Sequence, residues 1–148
     1  MILRALSVRQ PWAWAIVEGL KPWENRPRRF NYRGPLLIHA SKTAIEEDYL
    51  FGAGLIEALT GRSPPPRAVI ERGGIVGAAM LTDCAEPLLA DDGEWRGEGS
   101  FGLRLEKAII LPFRAYPGAL GLFKVELTPR ELKELSAAGL SGALRSAP

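Results

Sequence analysis

Lys21, Glu24 and Arg26 place an amine, a carboxylate and a guanidinium within six residues, just after Gly19. In an extended strand, side chains two apart share a face, so Glu24 and Arg26 can pair and line one wall of a cleft. Glu24 can then accept a hydrogen bond from the amino group of a bound base, while Arg26 stacks on the ring or meets a phosphate. Lys21 can neutralise a phosphate or, once desolvated, act as a base with a lowered pKa. Strict alternation would send Lys21 to the opposite face. Its convergence with the other two therefore needs a break at Gly19 and Pro22, and that break is expected. The bland alternatives are a solvated lysine after a helix and an ion pair that is only structural.

Around this cluster stand the aromatic residues Trp12, Trp14 and Trp23, any of which can stack on an unpaired base. Trp12 falls four residues before Ile16 and is assigned mainly to packing, whereas Trp14 leaves the apolar stripe and is the better stacking candidate. Arg28, Arg29 and Arg33 flank the following turn and either clamp a nucleic-acid backbone or form an ordinary soluble edge. Lys42 can extend the same basic rim. His39, flanked by apolar residues, reads as a hydrogen-bonded core histidine, and Asp83 is a weaker candidate for orienting Lys21 across the cleft.

Other chemistries find little support. The single Cys84 and the single His39 leave no zinc ligand set, so no metal is expected. There is no nucleophile elbow, phosphate loop or dinucleotide fingerprint, and the glycines of GGIVG lack the helix start that phosphate binding needs, so no cofactor is expected. Residues 86–99 carry five carboxylates among glycines without the ligand spacing of a calcium loop. They are expected to form a solvated, mobile lid, too polar to pack.

The elements that must position these groups follow from periodicity. Residues 2–6 suit a strand, and Pro11 then opens a helix whose stripe is Ala13, Ile16, Val17 and Leu20, stopped by Gly19. Extension resumes near Trp23, and residues 35–40 form a buried strand. Thr43 and Glu46 have the spacing of a capping box, opening a helix that ends at Gly61 with Ile45, Tyr49, Leu50, Leu55, Ile56 and Leu59 as its apolar residues. Strands are expected at 74–81, 101–105, 108–111 and 122–127, and a final helix at about 129–138, opened by Thr128, Pro129 and Glu131. The count gives an α+β fold, a small β-barrel of about six strands decorated by helices. The chain is read as one domain over residues 1–148, with a core at about 3–127 and a tail that frays after Gly139.

Residues 1–42 hold eight basic and two acidic residues, whereas residues 43–148 hold eleven and fifteen. Gathered on one face, the early basic residues would make a footprint for phosphates; scattered, they would be solvated surface. Fourteen arginines against five lysines, with twelve prolines and three amide side chains, give a thermophile-like composition. Without a secretory signal pattern or an apolar run near the roughly 18 residues of a membrane span, a cytoplasmic protein that makes no membrane contact is expected. It is expected to be a monomer.

The string LSVRQPWAWAIVEGLKPWENRPRRFNYRGPLLIHASK resembles the opening of the ASCH family, a domain first described in an activating signal cointegrator. The likeness rests on Leu6, Ser7, Gln10 to Ala13, Gly19, Lys21, Glu24, Arg26, Arg33, Gly34 and His39 to Lys42, and is most specific in G-x-K-x-x-E-x-R. GGIVGAAMLTDC and LPFRAYPGALGLFKV resemble its later strands, so the likeness spans about residues 3–127. The resemblance implies a PUA-like fold and a cleft beside that motif, with Gln10, Trp12, His39 and Asp83 in support. It also implies RNA binding and, for a few members, DNA binding or hydrolysis of acylated cytidine nucleosides. The nucleophilic threonine of those hydrolases would fall at Glu24, and a carboxylate does not replace a hydroxyl in acyl transfer.

The leading expectation is an RNA-binding module whose cleft takes a single-stranded or flipped base. The alternative is a small amidohydrolase for acylated or otherwise modified nucleosides, with Lys21 as base and Glu24 orienting water or substrate. A third reading, a protein-interaction domain using the acidic loop or the last helix, has no distinctive support.

Overall fold

The computed structural model describes residues 1–140, and the expected fraying of residues 141–148 lies outside the described residues. The elements run β1 (Ile2–Val8), α1 (Trp12–Val17), β2 (Trp23–Arg26), β3 (Gly34–Ala40), α2 (Glu46–Thr60), β4 (Gly74–Ala85), β5 (Phe101–Ala115), β6 (Leu122–Glu126) and α3 (Pro129–Ala137). One six-stranded sheet has the order β2-β5-β4-β3-β1-β6. Only β1 and β3 pair in parallel; the other neighbours are antiparallel.

The fold is α+β, but the sheet does not close into the expected barrel, because β2 and β6 remain its two edges. Local sequence explains the open seam. Pro22 and Pro27 bracket β2 and cannot donate to a ladder, so that edge strand is only four residues long. Curvature comes from register shifts along β4 and β5. The two strands expected at 101–105 and 108–111 are one strand, β5, interrupted by a bulge where Lys107 adopts a φ of 53°. Polar Glu106 and Lys107 mimic a turn in the sequence, and the bulge absorbs them without ending the strand.

Each face of the sheet carries a core. Leu6, Val8, Leu36, Ile38 and Leu103 pack with Ala13, Ile16 and Val17 of α1 on one side. Leu3, Ala5, Leu37, Ile75 and Val125 pack with Leu135 of α3 on the other. The period of two along β1 and β3 sends neighbouring residues to opposite cores. Gly77 permits the close approach of α1, since a Cβ there would collide with the Ile109 carbonyl and Val17.

The long helix departs from expectation at its start. Ile45 is its N-cap, without a side-chain cap, and the Thr43 amide donates instead to Ser41 Oγ at 3.3 Å. Glu46, Glu47 and Asp48 crowd the first turn and offset the exposed N–H dipoles without a capping box. Inward-facing Tyr49, Gly52 and Ile56 seat the helix, whereas Ile45, Leu50 and Leu59 are exposed rather than packed. Gly61 ends it in the left-handed conformation, as expected.

α3 does have its capping box: Glu131 N donates to Thr128 Oγ1 at 3.0 Å and Thr128 N to Glu131 Oε1 at 2.9 Å. Arg114 also donates twice to the Glu131 carboxylate, at 2.8 Å each. Burial pushes this carboxyl up, but the Arg114 and Thr128 hydrogen bonds and the Arg114 charge outweigh it, holding Glu131 below the usual glutamate range. A depressed folded-state pKa contributes stability above the unfolded value of about 4.3 and loses it as pH falls through the folded value. The stability gap between the wild type and Glu131→Gln is therefore expected to be widest near neutral pH and to shrink in acid. Urea melts between pH 7 and 3 measure it; a gap independent of pH would contradict the assignment.

Among the described residues no helix is long and apolar enough to cross a membrane.

Candidate functional site

The site begins where α1 ends. Gly19 at φ 76° turns the chain, and the amides of Leu20 and Lys21 both donate to the Ala15 carbonyl, at 2.9 and 3.0 Å. This break folds Lys21 back beside β2. Its Nζ lies 3.1 Å from Glu24 Oε1 and also donates to the Trp23 carbonyl. Arg26 approaches the other oxygen, with Nε and Nη2 at 3.1 and 2.9 Å from Glu24 Oε2, while Nη2 also donates to the Ser7 carbonyl at 2.8 Å. The Lys21 and Glu24 side chains are only 4% and 11% exposed. Glu24 is thus a carboxylate held between two cations at the edge of the core.

A cavity of ≈ 490 Å³ opens directly above the pair. Its walls are Trp12 of α1, Phe51 and Leu55 of α2, and the loop from Asp91 to Gly97. Gly52 lets α2 lie against Pro11 and Trp12, because a Cβ there would sit 3.0 Å from the Trp12 ring. Trp12 therefore packs and also presents part of its ring to the cavity, with Lys21 Nζ 5.6 Å from the ring centroid. Phe51, 72% exposed, forms the outer lip.

The loop of residues 86–99 is mostly exposed, as expected, but it is pinned at one end, where Arg96 is buried and Trp95 and Gly97 are half-buried. Asn25 holds it with both ends of its amide: Nδ2 donates to the Trp95 carbonyl at 2.7 Å and Oδ1 accepts from Gly97 N at 3.0 Å. Asp92 Oδ1 accepts the Glu94 and Arg96 amides at 2.8 and 3.1 Å, closing the turn from within. Arg96 is buried, donates to the Glu86 carbonyl at 2.7 Å, and lies over the Trp23 ring at 5.1 Å. It occupies space that only Gly102 leaves open, since a Cβ at 102 would collide with the guanidinium. A loop rich in charge looks unpackable by composition, but its carboxylates satisfy backbone donors and its arginine supplies the plug.

A second cavity shares Trp12, Glu24 and Asn25 with the first and continues along Arg9, Arg26 and Ser41. A third takes over at Ser7 and Ser41 and extends to Lys42 and His39. The three lie side by side, with the Glu24 ion pair in the wall between the aromatic cavity and its basic neighbour.

The other expected site residues divide clearly. Arg28, Arg29 and Arg33 do not line these cavities: Arg29 pairs with Glu86, and Arg33 donates to the Phe30 and Tyr32 carbonyls at 2.7 and 2.9 Å. Arg29 and Arg33 are held by loop and backbone partners and Arg28 is exposed outside the cavities, so the basic lining falls to Arg9, Arg26 and Lys42 instead. Trp14 also lies elsewhere, under the Arg62 guanidinium at 5.3 Å; leaving the apolar stripe of α1 turned it away from the cavity that Trp12 faces. Asp83 is exposed and accepts the Cys84 amide at 2.8 Å, with no contact to Lys21. Gln10 braces α1, accepting the Trp14 amide and donating to the Glu71 carbonyl, both at 2.9 Å.

His39 is 1% exposed. Its Nε2 lies 2.6 Å from the Tyr116 carbonyl, which can only accept, so Nε2 carries a proton; in the neutral ring Nδ1 then accepts from Ser7 Oγ at 2.9 Å. Both nitrogens are satisfied, as expected of a core histidine. Among the described residues, no group of three or more His, Cys, Asp or Glu is placed to hold a metal ion.

Sequence reasoning did not single out Arg9, Asn25, Phe51, Trp95 or Arg96. Asn25, one of only two asparagines, carried the clearest available signal.

The ASCH domain model matches residues 6–119, which include every residue of the ion-pair junction. The chain belongs to the ASCH domain family. ASCH domains are PUA-like folds often linked to RNA binding. An ASCH protein of known crystal structure from Zymomonas mobilis shares 15% identity and a TM-score of 0.52, with 90% of this chain and 93% of that chain covered. A point mutant of the Zymomonas protein gives a TM-score of 0.51 at the same identity, covering 90% and 96%. At that identity the likeness carries the ASCH fold alone. No curated protein matches the chain.

Proposed function

We propose that this ASCH domain binds single-stranded RNA, taking one unpaired base into the cavity between α1, α2 and residues 86–99. The backbone then crosses the Glu24 junction and runs past Arg9, Arg26 and Lys42. The observation that supports this reading is the adjacency of the cavities: an aromatic-walled hollow shares Trp12, Glu24 and Asn25 with a neighbour lined by Arg9 and Arg26. Bases stack on aromatic faces while cations hold phosphates, and a single strand needs both within one nucleotide's reach.

Binding is favoured over hydrolysis at Glu24. Both of its oxygens accept hydrogen bonds from cations, and among the described residues Lys21 donates to Glu24 and the Trp23 carbonyl and to no hydroxyl. N4-acetylcytidine is accordingly expected to survive incubation with concentrated protein; its deacetylation, followed by chromatography, would restore the hydrolase reading.

The test is salt-dependent fluorescence anisotropy with a labelled RNA oligonucleotide. Three phosphate contacts on a single strand give a slope of log K against log salt of roughly −2. Arg9→Ala and Lys42→Ala are each expected to make that slope shallower by about 0.7. An unchanged slope in both variants would place the phosphates elsewhere.

A further inference from the structure

Away from the base cavity, the parallel strands β1 and β3 place Ser7 opposite His39 near their ends. A register shift between Ile38 and His39 re-aims the imidazole. The Tyr116 carbonyl, 2.6 Å from Nε2, fixes the proton there, so the neutral ring presents its Nδ1 lone pair to Ser7 Oγ at 2.9 Å. Any donor would satisfy Nδ1 in a core; here the donor is the hydroxyl of a half-buried serine that lines two cavities. The larger of these, ≈ 780 Å³, has no carboxylate in its wall and one lysine, Lys42, which forms no ion pair among the described residues. Gly118 passes over the pair: a Cβ there would stand 3.2 Å from Ser7 Oγ and 2.9 Å from His39 Cε1. Its amide and that of Ala119 donate to no backbone acceptor among the described residues.

An activated hydroxyl needs a base within hydrogen-bond reach, a third group that orients the base, and donors for the oxyanion that forms beside it. His39 and the Tyr116 carbonyl supply the first two, and the loop amides of Gly118 and Ala119 supply the third. We infer that Ser7 is a nucleophile, activated by His39, for the hydrolysis of carboxylic esters that carry an anionic group within reach of Lys42. Ser7 Oγ attacks the ester carbonyl carbon as its proton passes to His39 Nδ1, and the oxyanion of the tetrahedral intermediate takes the loop amides. Collapse breaks the ester C–O bond, and Nδ1 returns the proton to the departing alcohol. Water then gives a proton to Nδ1 and attacks the acyl carbon, the carboxylic acid leaves, and Ser7 regains its proton. A carbonyl dipole stands where a triad has a carboxylate, so the imidazolium is less stabilised and turnover is expected to be slow. This activity does not depend on Glu24 or on the base cavity, and shares only Lys42 with the proposed RNA path.

Labelling of the full chain with a fluorophosphonate, followed by peptide mass spectrometry, tests the nucleophile without any substitution: an adduct is expected on Ser7. Hydrolysis of 4-acetoxybenzoate and of its neutral methyl ester tests turnover and charge. Ser7→Ala and His39→Gln are each expected to abolish the adduct and to lower kcat by about a hundredfold or more. Gly118→Ala leaves both side chains in place but crowds them and shifts the loop amides, and is expected to lower kcat by about tenfold or more. In Lys42→Ala the preference for the anionic ester over the neutral one should fall by about threefold, the worth of an exposed ion pair. No adduct, an adduct confined to other residues, or ester hydrolysis that survives Ser7→Ala overturns the inference. Full activity in Gly118→Ala overturns the role of the loop amides, and an unchanged ester preference in Lys42→Ala overturns the anionic substrate class.

Discussion

Glu24→Ala is expected to remove about 3 to 5 kcal/mol of stability, the cost of stranding a buried charge without its partner. Lys21, with its side chain 4% exposed, would keep its charge at the edge of the core with only the Trp23 carbonyl to receive it. Arg26 would lose its partner too, although its Nη2 keeps the Ser7 carbonyl. For a chain of this length the melting temperature should fall by roughly 10 °C. The double replacement Lys21→Met/Glu24→Leu discriminates between stability and function. It removes both charges together, so most of the lost stability is expected to return, because a well-packed apolar pair often matches a buried ion pair. Oligonucleotide binding is not expected to return with it. Denaturant unfolding and anisotropy on the same preparations measure both effects. A single variant as stable as the wild type would show that the junction is solvated, and full binding by the double variant would remove Glu24 and Lys21 from the site.

Arg96→Ala is expected to act differently, on the wall and not on the sheet. The wild-type guanidinium donates to the Glu86 and Ser100 carbonyls at the two ends of the loop and lies over Trp23 of β2, tying the loop together against that edge strand. Losing those charged hydrogen bonds costs about 3 kcal/mol locally, spent mainly in loosening residues 86–99, while the two cores on either side of the sheet stay intact. Global stability should therefore change less than in Glu24→Ala, whereas affinity for the oligonucleotide should drop tenfold or more as the Trp95 wall comes away. Limited proteolysis reports the opening: new cleavage within residues 86–99 is expected, with the remainder protected. A variant that resists cleavage and binds normally would show that Asn25 alone holds the loop.

What the sequence makes legible is the local geometry at the end of α1. Gly19 and Pro22 announce a break, the spacing of Lys21, Glu24 and Arg26 announces a pair and a third charge, and the fold brings all three into contact. Strand and helix positions follow from periodicity nearly as well, because burial on two faces enforces alternation along β1 and β3. Elsewhere, long-range packing decides. Nothing near Trp12 in the chain reveals that Gly52 will bring α2 onto its ring, so the aromatic that faces the cavity is misassigned in favour of Trp14. The pinning of the acidic loop goes unread because composition records its charges but not the backbone amides that Asp91 and Asp92 satisfy. Barrel closure is overestimated for a similar reason: six strands can be counted from the sequence, whereas the shortness of β2 between two prolines decides whether the edges meet.

The base cavity is tested most directly by photo-crosslinking a 4-thiouridine-containing oligonucleotide to the protein and mapping the adducts by mass spectrometry. Adducts are expected on the peptides carrying Trp12, Phe51 or Trp95, and they should disappear when unlabelled oligonucleotide competes. Adducts confined to α3 or to the exposed side of β5 around Ile110 and Phe113, with the cavity peptides unmodified, would contradict the claim that the hollow beside Lys21, Glu24 and Arg26 receives the base.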